Sequence, residues 1–268
     1  MKSFTDQMGR SVTLSAWPPR RVISLVPSQT ELLADLGLER EVVGITKFCV
    51  HPPEWFQHKN RVGGTKTVSL EKVAALAPDL IIGNKEENEQ AQIETLAARY
   101  PVWMSDVYNL NDACDMIRRV GELTGKPDSA GMLAQKIERE FAGLQSPGPF
   151  PRLKAAYFIW RKPYLVAAGN TFIDAMLRAA GFDNVFGHLD RYPEITWEAL
   201  ATGQPDVLLL SSEPFPFAEK HFGPFREACP DARIVIVDGE MFSWYGSRLQ
   251  YAPASFRRLR ESLGLADF

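Results

Sequence analysis

Two acidic residues, Glu71 and Glu198, hold the same place in two copies of one short pattern. "VSLEKVAALAPDLIIGN" runs from Val68 to Asn84, and "ITWEALATGQPDVLLLS" from Ile195 to Ser211. In each, a hydroxyl residue (Ser69 or Thr196) stands two places before the glutamate, Pro-Asp begins seven places after it, and an aliphatic run follows. A hydroxyl so placed caps a helix and puts the carboxylate in the first turn, where the helix dipole favours negative charge without any further role. Two such carboxylates on equivalent helices also form a matched pair of exposed charges. Such a pair suits a pseudo-symmetric partner that carries arginines.

Cys49 and His51 form a Cys-x-His pair. Thiolate and imidazole are good ligands for zinc, iron or cobalt, but two ligands do not make a site. The remaining histidines, His58, His188 and His221, form no second cluster in the sequence, so no protein metal site is expected. A narrower possibility is that Cys49 or His51 approaches the metal of a bound cofactor as an axial ligand. Catalytic signatures are missing. "VGGTKT" at Val62 to Thr67 lacks phosphate-loop spacing, and neither GxSxG nor HExxH occurs. Catalysis is therefore not expected.

The elements that must position these residues follow from the apolar pattern. Val22 to Val26 reads as a buried strand ended by Pro27. Ser28 to Glu31 has capping-box form, Leu32, Leu33 and Leu36 make a helical stripe, Gly37 suits the stop, and Val42 to Thr46 is the next strand. The later half repeats that order, with a strand at Ala155 to Trp160, a cap at Asn170 or Thr171, a stripe of Phe172, Met176 and Leu177, and a stop at Gly181. Each half then runs into its copy of the glutamate pattern, whose strands are Leu80–Gly83 and Val207–Leu210. Alternating strands and helices of this kind build parallel α/β lobes. Between the halves lie a helix at Asn111 to Leu123 and another capped by Asp128, running through Leu144 with Leu133, Ile137, Phe141 and Leu144 on one face. "QSPGPFPR", Gln145 to Arg152, reads as a linker. The expected division is an N-terminal α/β lobe over 1–124, a connecting helix over 125–146 and a C-terminal α/β lobe over 147–268.

The 30 basic residues against 33 acidic ones give a net charge of -3, with no basic excess to suggest nucleic acid. Three cysteines fit neither a disulfide framework nor a CxxC site. No apolar run is long enough to cross a membrane, and "MKSFTDQMGRSVTLSAWPPR" contains no apolar leader. A cytoplasmic protein is expected if Met1 is the true start.

"RVISLVPSQTELLADLGL", "VVGIT", "HPPEW", the first glutamate pattern and "WYGSRL" together resemble the helical-backbone substrate-binding proteins of ABC importers, over about residues 20 to 265. That family includes the vitamin B12-binding protein and the iron-siderophore and haem receptors. The resemblance implies two similar Rossmann-like lobes bridged by one long helix, with ligand in the cleft between them. It also implies a monomer, a periplasmic or cell-surface location, and an importer permease with its ATPase as partners. Glu71 and Glu198 match the glutamates that dock onto permease arginines in this family. The ligand would be a metal chelate, with no cofactor intrinsic to the protein. Cobalamin or another corrinoid is the first expectation; an iron siderophore or haem is the alternative, as is a cytosolic cofactor-binding protein that kept the receptor fold.

Residues matching the family's ligand loops are Pro27, Ser28, Phe48, Trp160, Arg161, Tyr164, Tyr192, Trp244, Tyr245 and Arg248. The aromatic residues suit a flat, largely apolar ligand, whereas Arg161, Arg248 and Tyr164 would suit an anionic iron chelate. Thr65 and Asn84 stand where the B12-binding proteins carry tryptophans, and Glu240 and Trp244 where they place an acid and an arginine. The polar run "NKEEN", Asn84 to Asn88, suits either contacts with amide groups around a corrin ring or a solvated helix start.

Overall fold

Apolar runs too short for helices become the strands of two parallel sheets, one in each half of the chain. The computed structural model describes residues 1–144 and 152–265, so the expected linker, apart from Arg152, lies outside the described residues. The chain divides into two compact units. The first comprises Met1–Val107, Asn111–Glu138 and Tyr245–Arg248. The second takes the described residues among Tyr108–Leu110, Arg139–Trp244 and Leu249–Phe268.

The first unit opens with an antiparallel hairpin of β1 (Lys2–Thr5) and β2 (Ser11–Leu14). There follow β3 (Val22–Ser24), α1 (Pro27–Asp35), β4 (Val42–Ile45), α2 (Pro53–His58), β5 (Asn60–Arg61) and α3 (Leu70–Leu76). Next come β6 (Leu80–Asn84), α4 (Gln90–Ala97), β7 (Val102–Ser105) and α5 (Leu110–Thr124), then α6 (Pro127–Ala142). Strands β3 to β7 form one sheet in the order β5-β4-β3-β6-β7, every neighbouring pair parallel. Every residue of β3, β6 and β7 is buried, as expected of strands covered on both faces. Ile23, Leu25, Val73, Ile81, Ile93 and Met104 share one core on one side of this sheet.

The second unit continues with β8 (Leu153–Trp160), β9 (Leu165–Val166), α7 (Phe172–Ala179), β10 (Phe182–Asn184) and α8 (Trp197–Gly203). It ends with β11 (Val207–Ser211), α9 (Phe222–Ala228), β12 (Arg233–Val237), α10 (Glu240–Ser243) and α11 (Ala252–Ser262). Its sheet runs β10-β8-β11-β12, all parallel, with β9 antiparallel to β8. The expected α/β class with two parallel-sheet lobes is what the chain forms. No described helix is long and apolar enough to cross a membrane.

The repeated pattern is repeated in structure, cap for cap and clamp for clamp. Ser69 Oγ accepts the Lys72 N–H at 3.3 Å and Thr196 Oγ1 accepts the Ala199 N–H at 3.2 Å, which caps α3 and α8. Both helices end on a left-handed residue, Ala77 at φ 41° and Gln204 at φ 47°, and proline follows each. The Asp of each Pro-Asp then clamps the start of the central strand of its own sheet. Asp79 accepts the Arg20 and Arg21 N–H groups at 2.8 Å each and returns its own N–H to Arg21 O at 3.0 Å. Asp206 accepts the Lys154 N–H at 2.7 Å and returns its N–H to Lys154 O at 2.8 Å.

Two capping expectations fail. Helix α1 starts at Pro27 with Val26 as an uncapped N-cap, because Pro27 presets the helical φ at the first position. Ser28 is thereby drawn inside the helix, and Glu31 turns to Arg248 instead. Likewise α6 starts at Pro127, so Asp128 lies in its first turn, not at its cap. Ile137, Phe141 and Leu144 of the expected stripe are buried and Leu133 is half-buried. Where α5 meets α6, a Cβ on Gly121 would lie 2.2 Å from the Ala130 Cβ, so only glycine permits the approach.

Candidate functional site

In a parallel sheet every strand ends at the same edge, and in open α/β sheets ligands bind outside that carboxyl edge. The loops that matter are therefore those after β3, β4 and β6 in the first unit and after β8, β10, β11 and β12 in the second. An open groove of about 850 Å³ in the first unit, lined among others by Arg21, Arg40, Val42, Lys59 and Asn60, lies where strands begin. It is on the wrong edge for this purpose.

In the first unit Pro27 is half-buried and Ser28 buried at the start of α1. Phe48, after β4, is 51% exposed, and the Lys47 ammonium lies 5.0 Å from its ring centre. Cys49 is turned inward beside it. Its thiol lies 3.1 Å from both Thr30 Oγ1 and Thr46 Oγ1, and burial pushes its pKa up despite those hydroxyls. No group of three or more His, Cys, Asp or Glu suited to a metal occurs among the described residues, so Cys49 and His51 gain no third ligand.

The asparagines of "NKEEN" are spent internally. Asn84 Oδ1 accepts the Glu86 and Glu87 N–H groups at 2.8 and 3.1 Å, and Asn88 Oδ1 accepts the Asn84 N–H at 2.8 Å. Asn88 Nδ2 donates to Thr65 O at 3.0 Å. Both side chains hold the turn after β6 together.

A short segment near the C-terminus, Tyr245–Arg248, belongs with the first unit. Gly246 crosses so close to α1 that a Cβ on it would lie 2.3 Å from Ser28 O. Arg248 then forks onto Glu31, Nε to Oε2 at 2.9 Å and Nη2 to Oε1 at 2.5 Å, with both side chains mostly buried. Tyr245 itself is buried.

In the second unit Trp160, ending β8, is 39% exposed and meets Phe215 edge-on at 5.9 Å. Tyr164 is part of the core: its ring packs on Phe158, Trp197 and Phe225 at 6.3, 4.7 and 5.5 Å. The residue is half-buried, and its hydroxyl accepts from Arg161 Nε at 3.4 Å. Tyr192 is half-buried, with the Arg191 guanidinium 5.6 Å from its ring. Trp244 is buried, and its indole N–H donates to Glu213 Oε1 at 3.0 Å while Ser243 Oγ donates to the same oxygen at 2.6 Å. Burial pushes the Glu213 carboxyl up, the Ser243 bond opposes this, Glu240 adds to it, Trp244 opposes and Asp238 adds.

Glu213, Phe215 and His221 escape the sequence reading. All three lie on the loop after β11, and the strand-end rule that selects Trp160 and Trp244 would have selected them too. The aliphatic run ending at Ser211 was the available signal.

Glu71 and Glu198 are exposed at the second position of α3 and α8. The Glu198 carboxyl is held below its ordinary value by its own backbone N–H and then by the Thr196 hydroxyl, which keeps it ionised.

A family model for periplasmic binding proteins matches residues 22–226. The chain belongs to the periplasmic binding protein family. Among its relatives, a vitamin B12-binding protein of Vibrio parahaemolyticus is 26% identical over 204 residues, 75% of this chain and 74% of that one. The periplasmic vitamin B12-binding protein BtuF of Vibrio cholerae superposes with a TM-score of 0.79 at 20% identity, over 92% of this chain and 98% of that one, which shows the fold. The periplasmic haem-binding protein BhuT, solved with two haems, superposes with a TM-score of 0.79 at 26% identity, over 91% and 98% of the two chains. Like its family, the chain is a binding protein by type.

Proposed function

We propose that this periplasmic binding protein is the substrate-binding component of an ABC importer, works in the periplasm, and takes a corrinoid as ligand, cobalamin first. The observation that carries the choice of ligand is the Glu31–Arg248 fork. A pocket for an anionic ferric chelate needs cationic groups to spare. Of the three residues suited to that role, Arg248 is neutralised by a bidentate carboxylate and Tyr164 packs against the aromatic core, and Arg161 is left. What the carboxyl edges do offer is exposed or half-exposed aromatic surface: Phe48, Trp160 with Phe215 behind it, and Tyr192; Trp244, held on Glu213, is buried. That surface matches a broad, mostly apolar ring system with few charges. Pro27, Ser28, Arg161 and Tyr245 complete the ligand set in this reading. The names of the relatives support it.

Glu71 and Glu198 are, in this reading, the permease-docking charges. Their equivalent placement on α3 and α8 and their exposure support that role. A pair related in this way matches a permease dimer that presents arginines.

Calorimetric titration of cyanocobalamin tests the ligand. Binding is expected, with Trp160→Ala weaker by about 1–3 kcal/mol, as for a desolvated aromatic anchor. No heat and no spectral change at high micromolar cyanocobalamin refutes it. Uptake of haemin instead would assign the chain to the haem-binding branch of its relatives.

A further inference from the structure

We propose that His221 is a ligand contact: its Nε2–H donates a hydrogen bond to a carbonyl oxygen on the rim of the ligand, and it does not coordinate the ligand's metal. The proposal deepens the reading above and rests on the ligand being a ring with oxygen-bearing side chains.

The proton's place follows from one bond. The Ala218 backbone N–H donates to His221 Nδ1 at 3.0 Å. A neutral imidazole has a single ring proton, so a nitrogen that accepts leaves that proton on the other one. Nε2 is therefore a donor. A metal would need its lone pair, which the N–H uses. Protonation of the ring is opposed by burial first, then by the nearby charges of Arg161 and Lys220, which together hold its pKa below the ordinary value.

The ring is also fixed in place. Its centre lies 5.3 Å from that of Phe215 and 5.9 Å from that of Phe217, and the residue is 8% exposed. Among the described residues the Ala218 N–H bond is the only hydrogen bond of the His221 side chain, so the Nε2–H has no protein acceptor. The Nε2 atom itself is not sealed from solvent, so its N–H is open to an incoming acceptor. Phe215 also packs edge-on against Trp160, so His221 belongs to the same loop cluster as the exposed indole and Arg161. Two neighbouring cations favour an oxygen acceptor over another donor. A peripheral amide and a peripheral carboxylate both supply that oxygen.

Three proteins and three probes test this. His221→Asn keeps an acceptor for the Ala218 N–H but has nothing at the Nε2 position, whereas His221→Gln places an amide donor there. With cyanocobalamin, the asparagine variant should bind about five- to tenfold more weakly than wild type and the glutamine variant within about twofold. Equal affinity for wild type and the asparagine variant overturns the proposal and leaves the corrinoid reading standing. If haemin binds and cyanocobalamin does not, and the asparagine variant weakens haemin, the corrinoid reading fails and the His221 contact stands, made to a carboxylate. The absorption bands of bound haemin and of bound aquocobalamin should be the same in all three proteins; a band shift in the variants would mean coordination and overturn the proposal. Nitrogen NMR of the imidazole gives an independent reading without ligand: a proton on Nδ1 refutes it.

Discussion

Asp79→Ala should destabilise the first unit while Glu71→Ala, eight residues earlier in the same pattern, should not. The two acids do different work. Asp79 takes the Arg20 and Arg21 N–H groups on its two oxygens at 2.8 Å each, so the entry to β3 hangs on one carboxylate. A hydrogen bond to an ionised acceptor contributes about 1.5–3 kcal/mol when well shielded, and partial exposure reduces the pair here to about 1–2 kcal/mol in total. Asp206 makes one such bond, to the Lys154 N–H at 2.7 Å, and is exposed, so Asp206→Ala should cost less, about 0.5–1 kcal/mol. Glu71 makes no hydrogen bond or ion pair with its side chain among the described residues, and Glu198 is held by the first turn of its own helix. Urea unfolding followed by circular dichroism reads the four variants. The expected order of midpoints is Asp79→Ala lowest, Asp206→Ala next, and the double glutamate variant level with wild type. That double variant should still bind ligand but associate more weakly with the permease, most visibly at low salt. A midpoint for the double glutamate variant as low as that of Asp79→Ala would make the glutamates structural and remove the docking proposal.

Gly246→Ala should cost more than about 2 kcal/mol in unfolding free energy, because its Cβ would fall 2.3 Å from a backbone carbonyl oxygen that cannot yield; a near-neutral substitution would show that the 245–248 segment does not dock on α1 as described. Glu213→Gln should flatten the pH dependence of the thermal midpoint. The folded carboxyl has a pKa raised above its ordinary 4.5, so its share of stability is complete below that value and is lost as pH rises through the raised one. The amide oxygen still accepts from Ser243 and Trp244, so the variant should match or exceed wild type above that window. A wild-type midpoint that rises more steeply with pH than the variant's across the window would reverse the sign and refute the assignment.

The sequence made the strands and the repeated pattern legible because both depend on local chemistry. Val207–Ser211 is five apolar or hydroxyl residues after Pro-Asp, and it can hardly be anything but a buried strand. Ser69, Thr171 and Thr196 cap helices where a hydroxyl meets an ordinary chain entry. Ser28 has the same local spelling, but Pro27 before it takes the first helical position and moves the boundary by two residues, from a cap at Ser28 to one at Val26. The partner of Glu31 could not be read at all. Arg248 is 217 residues away, and nothing at either position announces the other.

The same limit explains the site. Aromatic residues after strands are a local signal, and it picks out Phe48, Trp160 and Trp244 as candidates. It does not say which ring points out. Trp160 is exposed, whereas Tyr164, four residues on, is packed among Phe158, Trp197 and Phe225. The loop after β11 shows what is lost when rings alone are counted. Glu213 there holds the indole of Trp244, and His221 holds its proton on the outer nitrogen because a backbone N–H occupies the inner one. Neither residue is remarkable by type or spacing; each acquires a role from a hydrogen bond closed by the fold. In the proposed reading, ligand choice rests on such bonds as much as on the aromatic surface. Arg248 makes the point most directly: as a sequence letter it argued for an anionic chelate, and its fork onto Glu31 turns it into an argument against one.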